Sequence, residues 1–90
     1  VNEMFVIMVY DIGEKRVNKV LKKLRQYLYW VQNSVFEGEI TEAKLKKLKD
    51  EVSRLIDKDY DSIVIYNFRS TRYSSREVIG QNKGGQGNIL

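Results

Sequence analysis

Two short runs of this 90-residue chain, MFVIMVY (4–10) and SIVIYNF (62–68), are apolar on both faces of the extended strands they predict. In the first, Phe5, Ile7 and Val9 point one way, and Met4, Val6, Met8 and Tyr10 the other. In the second, Ile63 and Ile65 oppose Val64, Tyr66 and Phe68. A layer of helices covers only one face of such a sheet. Every large apolar side chain left wet on the other forgoes roughly 1.5–3 kcal/mol. Two covers are available: a second copy of the chain in a two-fold dimer, or the C-terminal segment folded back over its own sheet. The dimer is preferred, because a core this small gains most from association.

Between the runs, Val17, Val20, Leu21, Leu24 and Leu28 recur at helical spacing and predict a helix over about 15–28. YWVQNSVFEGEI (29–40) is β-branched and aromatic, and reads as two short strands turning near Gln32–Ser34 or as one bent strand. Thr41 is the expected cap of a second helix over about 42–58, with Leu45, Leu48, Val52, Leu55 and Ile56 inward. A strand at 77–80 follows RSTRYSSR. The order β-α-β-β-α-β plus a C-terminal strand predicts an α+β, ferredoxin-like sandwich over residues 1–80. Residues 81–90, rich in glycine and amide side chains, form a flexible tail in this reading.

Composition narrows the chemistry. The chain has no histidine and no cysteine, which removes the commonest general base, thiol nucleophiles and thiolate zinc sites. Any metal is expected to be a hard cation held by oxygen. No segment approaches the roughly 20 apolar residues of a membrane span, and no signal-peptide pattern opens the chain, so a soluble, cytoplasmic protein is expected.

The junction VYDIGEKR (9–16) raises the main candidate. Asp11 has two readings of equal weight: a helix cap with Glu14 at capping-box spacing, or a site residue at the carboxyl end of a central strand. One carboxylate is too little for Mg²⁺, whereas two copies of Asp11 across a dimer axis could share the ion with waters and phosphate oxygens.

Lys15, Arg16, Lys19, Lys22 and Lys23 crowd one side of the first helix, where Glu14 is the only acid. A solvated helix face usually mixes signs, so a phosphate-binding ridge is the preferred reading. Arg69, Arg72 and Arg76 make a second basic strip, equally readable as an ordinary loop or as a backbone contact. Trp30, Gln32 and Phe36 read as core or interface. The aromatic run of an RNA-recognition motif is missing.

VYDI with an arginine-bearing helix start, and VQNSVFEGEI before the second helix, resemble the smaller of the two universal CRISPR adaptation proteins. The likeness covers Met4 to about Gly80. The resemblance implies a homodimer whose last strand packs on the partner's sheet. It implies bridging of dimers of the larger integrase subunit during spacer acquisition, on duplex DNA. It also implies a metal-dependent endonuclease acting on single-stranded RNA or duplex DNA, with Asp11 from each chain as catalytic residue and ligand of Mg²⁺ (or Mn²⁺). Tyr10, Arg16 and Phe36 match positions given roles near that site. Three positions depart from the family pattern. Val17 and Asn18 follow Arg16 where further arginines are common, and Trp30 stands where a basic residue often precedes the Val-Gln pair.

The functions weighed are therefore a nucleic-acid-binding scaffold, a metal-dependent phosphodiesterase, a small toxin-like RNase of the same fold, and a metabolite-binding regulatory domain.

Overall fold

A computed structural model describes residues 3–68 and 74–81, with the side chains of Ser74 and Ser75 left aside. Arg69, Arg72, Tyr73 and the tail beyond Gln81 lie outside the described residues. The elements are β1 (Glu3–Asp11), α1 (Glu14–Arg25), β2 (Tyr29–Gln32), β3 (Val35–Thr41), α2 (Glu42–Leu55), β4 (Ser62–Phe68) and β5 (Ser74–Gly80). The strands form one sheet in the order β2-β3-β1-β4-β5, antiparallel throughout. That is the ferredoxin-like order with a fifth strand added beside β4.

Local chemistry explains the boundaries. Both helices end three residues short of the spans their apolar spacing predicts. In α1 the backbone tightens into shorter bonds, Gln26 N–H to Lys23 O at 3.1 Å and Tyr27 N–H to Leu24 O at 3.0 Å, and the chain then drops Leu28 into the core. In α2 the residue after the helix, Ile56, is extended, and the next amide, Asp57 N–H, is taken at 2.8 Å by the Asp61 carboxylate. Thr41 caps α2 as expected, its hydroxyl accepting from Lys44 N–H at 3.2 Å. Residues 29–40 fold as two strands, turning at Asn33, whose φ of 45° suits a short side chain that bonds locally. Gly80 ends β5 at φ 96°, where any Cβ would lie 2.3 Å from the Asp61 carbonyl oxygen.

Both helices lie on one face of the sheet. There Met4, Val6 and Met8 of β1 meet Phe36 and Ile40 of β3, Ile63 and Ile65 of β4, Val20 and Leu24 of α1, and Leu45, Leu48 and Val52 of α2. The helices are also joined through Glu51, which accepts from the Tyr27 hydroxyl at 3.1 Å and pairs with Lys23 at 3.8 Å. Among the described residues no helix is long and apolar enough to cross a membrane.

Among the described residues the opposite face carries no helix. Its side chains form rows across the register: Val35–Val9–Val64–Val78, then Glu37–Ile7–Tyr66–Arg76, then Glu39–Phe5–Phe68. β5 pairs with β4 of its own chain from Ser62↔Gly80 to Phe68↔Ser74 and so extends the sheet at its edge. The physical reason is the free edge of β4, whose backbone donors and acceptors are satisfied by the nearest strand in sequence.

Candidate functional site

β1 ends at Asp11, opposite Ser62 at the start of β4. Its parity with Phe5, Ile7 and Val9 puts Asp11 on the helix-free face, where it is exposed. The capping reading is corrected. The N-cap of α1 is Gly13, with φ −61° and ψ 150° and no side-chain cap, and its carbonyl accepts from Arg16 N–H at 2.9 Å and Val17 N–H at 3.0 Å. Ile12 and Gly13 intervene because the chain must rise from the sheet to the helix layer before it can wind.

Tyr10 and Phe36 lie on the other side of the sheet from Asp11. Phe36 is fully buried, and the Tyr10 ring stands 6.0 Å from it at 46°. The Tyr10 hydroxyl donates to Asn33 O at 3.3 Å, and its amide to Ser34 O at 3.0 Å. They back the strand that presents Asp11 and tie its end to the β2–β3 turn.

Arg16 turns to Asp61, with Nε at 2.5 Å from Oδ2 and Nη2 at 2.9 Å from Oδ1. Asp61 is 1% exposed and also accepts from Gly13 N–H at 3.0 Å. The Arg16 hydrogen bond holds this carboxyl far below the ordinary range; burial opposes that, and the Asp57 and Gly13 amides reinforce it. On the sequence alone Asp61 is one more polar residue of the KDYD turn. The signal available is topological: in an antiparallel sheet the start of β4 lies beside the end of β1, so Asp61 neighbours the same corner as Asp11.

The basic ridge divides. Lys15, Lys19 and Lys22 are exposed along one line of α1, with Arg25 exposed beyond them. Arg16 and Lys23 sit one position further round the helix and are drawn into the pairs with Asp61 and Glu51. Arg76 lies on the helix-free face beside Tyr66, away from the lysine line. Trp30 is not part of the core: it is 57% exposed on β2, its indole N–H donating to Asn33 O at 2.9 Å.

No group of three acidic side chains that could hold an ion occurs among the described residues. A lone carboxylate such as Asp11 fits a divalent cation only as part of a larger oxygen donor set.

An antiparallel sheet with both helices on one face, an acid at the end of its first strand and a lysine line on its first helix defines a small ferredoxin-like α+β domain. Residues 4–76 match the family model described as CRISPR associated protein Cas2. A "CRISPR-associated endoribonuclease Cas2" of Thermotoga maritima is 55% identical over 87 residues, which cover 97% of this chain and 100% of that protein. Its namesake in Dictyoglomus turgidum is 51% identical over 87 residues, again 97% and 100% of the two chains. A solved structure described as "Crystal structure of cas2" matches with a TM-score of 0.72 at 42% identity, covering 98% of this chain and 99% of that one. The chain belongs to the Cas2 family, as the VYDI and VQNSVFEGEI motifs suggested.

Proposed function

We propose that this chain works as a two-fold homodimer in CRISPR adaptation, binding nucleic acid and carrying a divalent-metal endonuclease site built from Asp11 of both copies. The observation that carries the reading is the position of Asp11 at the margin of the apolar sheet face away from the helices, one row beyond Val35–Val9–Val64–Val78. A second copy laid on that face about an axis parallel to the strands brings the two β1 ends together. The paired carboxylates would hold Mg²⁺ (or Mn²⁺), which when bound supplies an activated water and stabilises charge on a phosphodiester. Each chain's own part is to hold its carboxylate in place, through the Gly13–Asp61 bond and the Tyr10 ties, and to grip backbone phosphates with Lys15, Lys19 and Lys22. The relatives are named endoribonucleases, which supports cleavage of RNA. Duplex DNA binding and bridging of the larger integrase subunit extend the same reading to spacer acquisition in the cytoplasm.

The test replaces Asp11 with Asn. Mg²⁺-dependent cleavage of single-stranded RNA and of duplex DNA should disappear while nucleic-acid binding persists. Residual cleavage of equal rate in a stringently purified variant would remove the nuclease.

A second reading, a scaffold without cleavage, is favoured by one observation. The exposed lysines lie on the helix layer, and Asp11 on the opposite face of the sheet. Binding without turnover in the unmodified protein would select it.

A further inference from the structure

Trp30 is the only tryptophan of the chain and stands 57% exposed on β2, a strand at the edge of the sheet. Its cross-strand partner is Phe36, which is buried beneath the helices, so the indole projects on the helix side of the sheet. The ring is tied down. Its N–H donates to Asn33 O at 2.9 Å, and the same oxygen accepts the Tyr10 hydroxyl at 3.3 Å. A tryptophan side chain has a single polar atom, and here that atom is satisfied inside the hairpin. What the ring presents outward is therefore its π-surface alone, large, apolar and held in place.

The ground beside it is cationic. α1 packs against α2 on one side and approaches β2 on the other. Arg16 and Lys23, through their pairs with Asp61 and Glu51, mark the flank turned toward α2. At about 100° per residue, the flank opposite them carries Asn18 and Arg25, with Lys15 and Lys22 next to these on the outer side. All four are exposed, and Glu14 is the only acid of the helix. Tyr29, the neighbouring exposed aromatic, pairs with Glu37 and projects to the other side of β2. The two rings therefore do not make one apolar patch of the kind that docks a protein. A single fixed indole face beside a row of cations matches a different ligand, one with flat rings and phosphates in alternation.

We propose that Trp30 stacks an unpaired base of a single-stranded nucleic acid whose phosphates lie along the exposed cations of α1; this rests on the nucleic-acid-binding reading above. A base within a duplex shows only its edges in the grooves, because its faces are covered by its neighbours. The indole thus selects single strands, whereas the lysine line serves both forms through their phosphates. Gln32 and Asn33, exposed at the tip of the same hairpin, add amide side chains that can bond the edge of the stacked base.

The sole tryptophan makes the site its own reporter. With EDTA present to prevent cleavage, titration with a single-stranded oligouridylate should quench its emission and shield it from acrylamide. A long duplex, or inorganic polyphosphate, should bind the lysines and leave both signals nearly unchanged. Trp30→Leu should keep its circular dichroism spectrum and weaken single-strand binding about tenfold at an unchanged salt slope, with duplex binding nearly unaltered. Trp30→Phe should restore most of the loss, because it returns a ring. Should the leucine variant not fold, the emission of the unaltered protein decides. Single-strand binding that leaves emission and acrylamide access untouched, or a leucine variant that binds as tightly as the original, would overturn the stacking site and leave phosphate binding by the lysines standing. Emission that responds to protein concentration and not to oligonucleotide would place Trp30 in a protein contact and overturn it as well. Unaltered protein that binds neither single strand nor duplex would overturn both readings.

Discussion

The Arg16 guanidinium grips the buried Asp61 carboxylate through two nitrogens, and the same two oxygens accept the backbone amides of Gly13 and Asp57. One side chain thus ties the turn after β1, the first turn of α1 and the end of α2 into a single corner. Asp61 adjoins Ser62, the register partner of Asp11, so this corner fixes where the candidate metal ligand emerges.

Asp61→Asn should therefore destabilise the fold by about 2 kcal/mol near neutral pH, the usual cost of stranding buried donors. The pH dependence has a definite sign. The folded-state carboxyl titrates far below its ordinary value of about 3.9, so its stabilisation is complete above that pH and is lost as pH falls toward the folded value. Urea denaturation at pH 7 and pH 3 should show the gap between unaltered protein and variant shrinking in acid. A gap of constant size would contradict the buried pair.

Asp11→Asn should leave thermal stability within about 0.5 kcal/mol, since the residue is exposed and is not the cap of α1. A large loss of melting temperature would mean that Asp11 serves the fold and not a site.

The lysine line and its neighbours should behave differently. Changing Lys15, Lys19 and Lys22 together to Glu should abolish tight duplex binding, and changing them to Gln should lower the salt slope by about 0.9 for each phosphate no longer neutralised. Lys23→Gln should leave binding nearly unchanged, because Lys23 faces Glu51 across the helix pair. Filter-binding titrations over a range of salt concentrations would separate the two.

Adjacent positions on β1 give a further contrast. Val6 is wholly buried against the helices, and Ile7 lies on the face away from them. Val6→Ser should cost about 2–4 kcal/mol in folding, from lost packing and a stranded hydroxyl. Ile7→Ser should barely alter unfolding measured on dilute, dissociated chains, yet weaken self-association in sedimentation.

Much of this was legible in the residues alone. Unbroken apolar runs at 4–10 and 62–68 dictated central strands, the leucine spacings dictated two helices, and Thr41 marked the start of the second; all depend on neighbours a few positions away. The motifs around Asp11 and Phe36 carried the family. Tertiary structure alone decided which charges are spent internally. Arg16 and Lys19 look alike on a helical wheel, but only Arg16 lies over a buried carboxylate 45 residues later in the chain. Lys23 is diverted by Glu51 in the same way, and Arg76 is carried by β5 to the sheet face away from the lysines. Periodicity fixes which side of its own element a residue occupies; the fate of its charge depends on what distant segment folding brings against that side, and no local pattern encodes that.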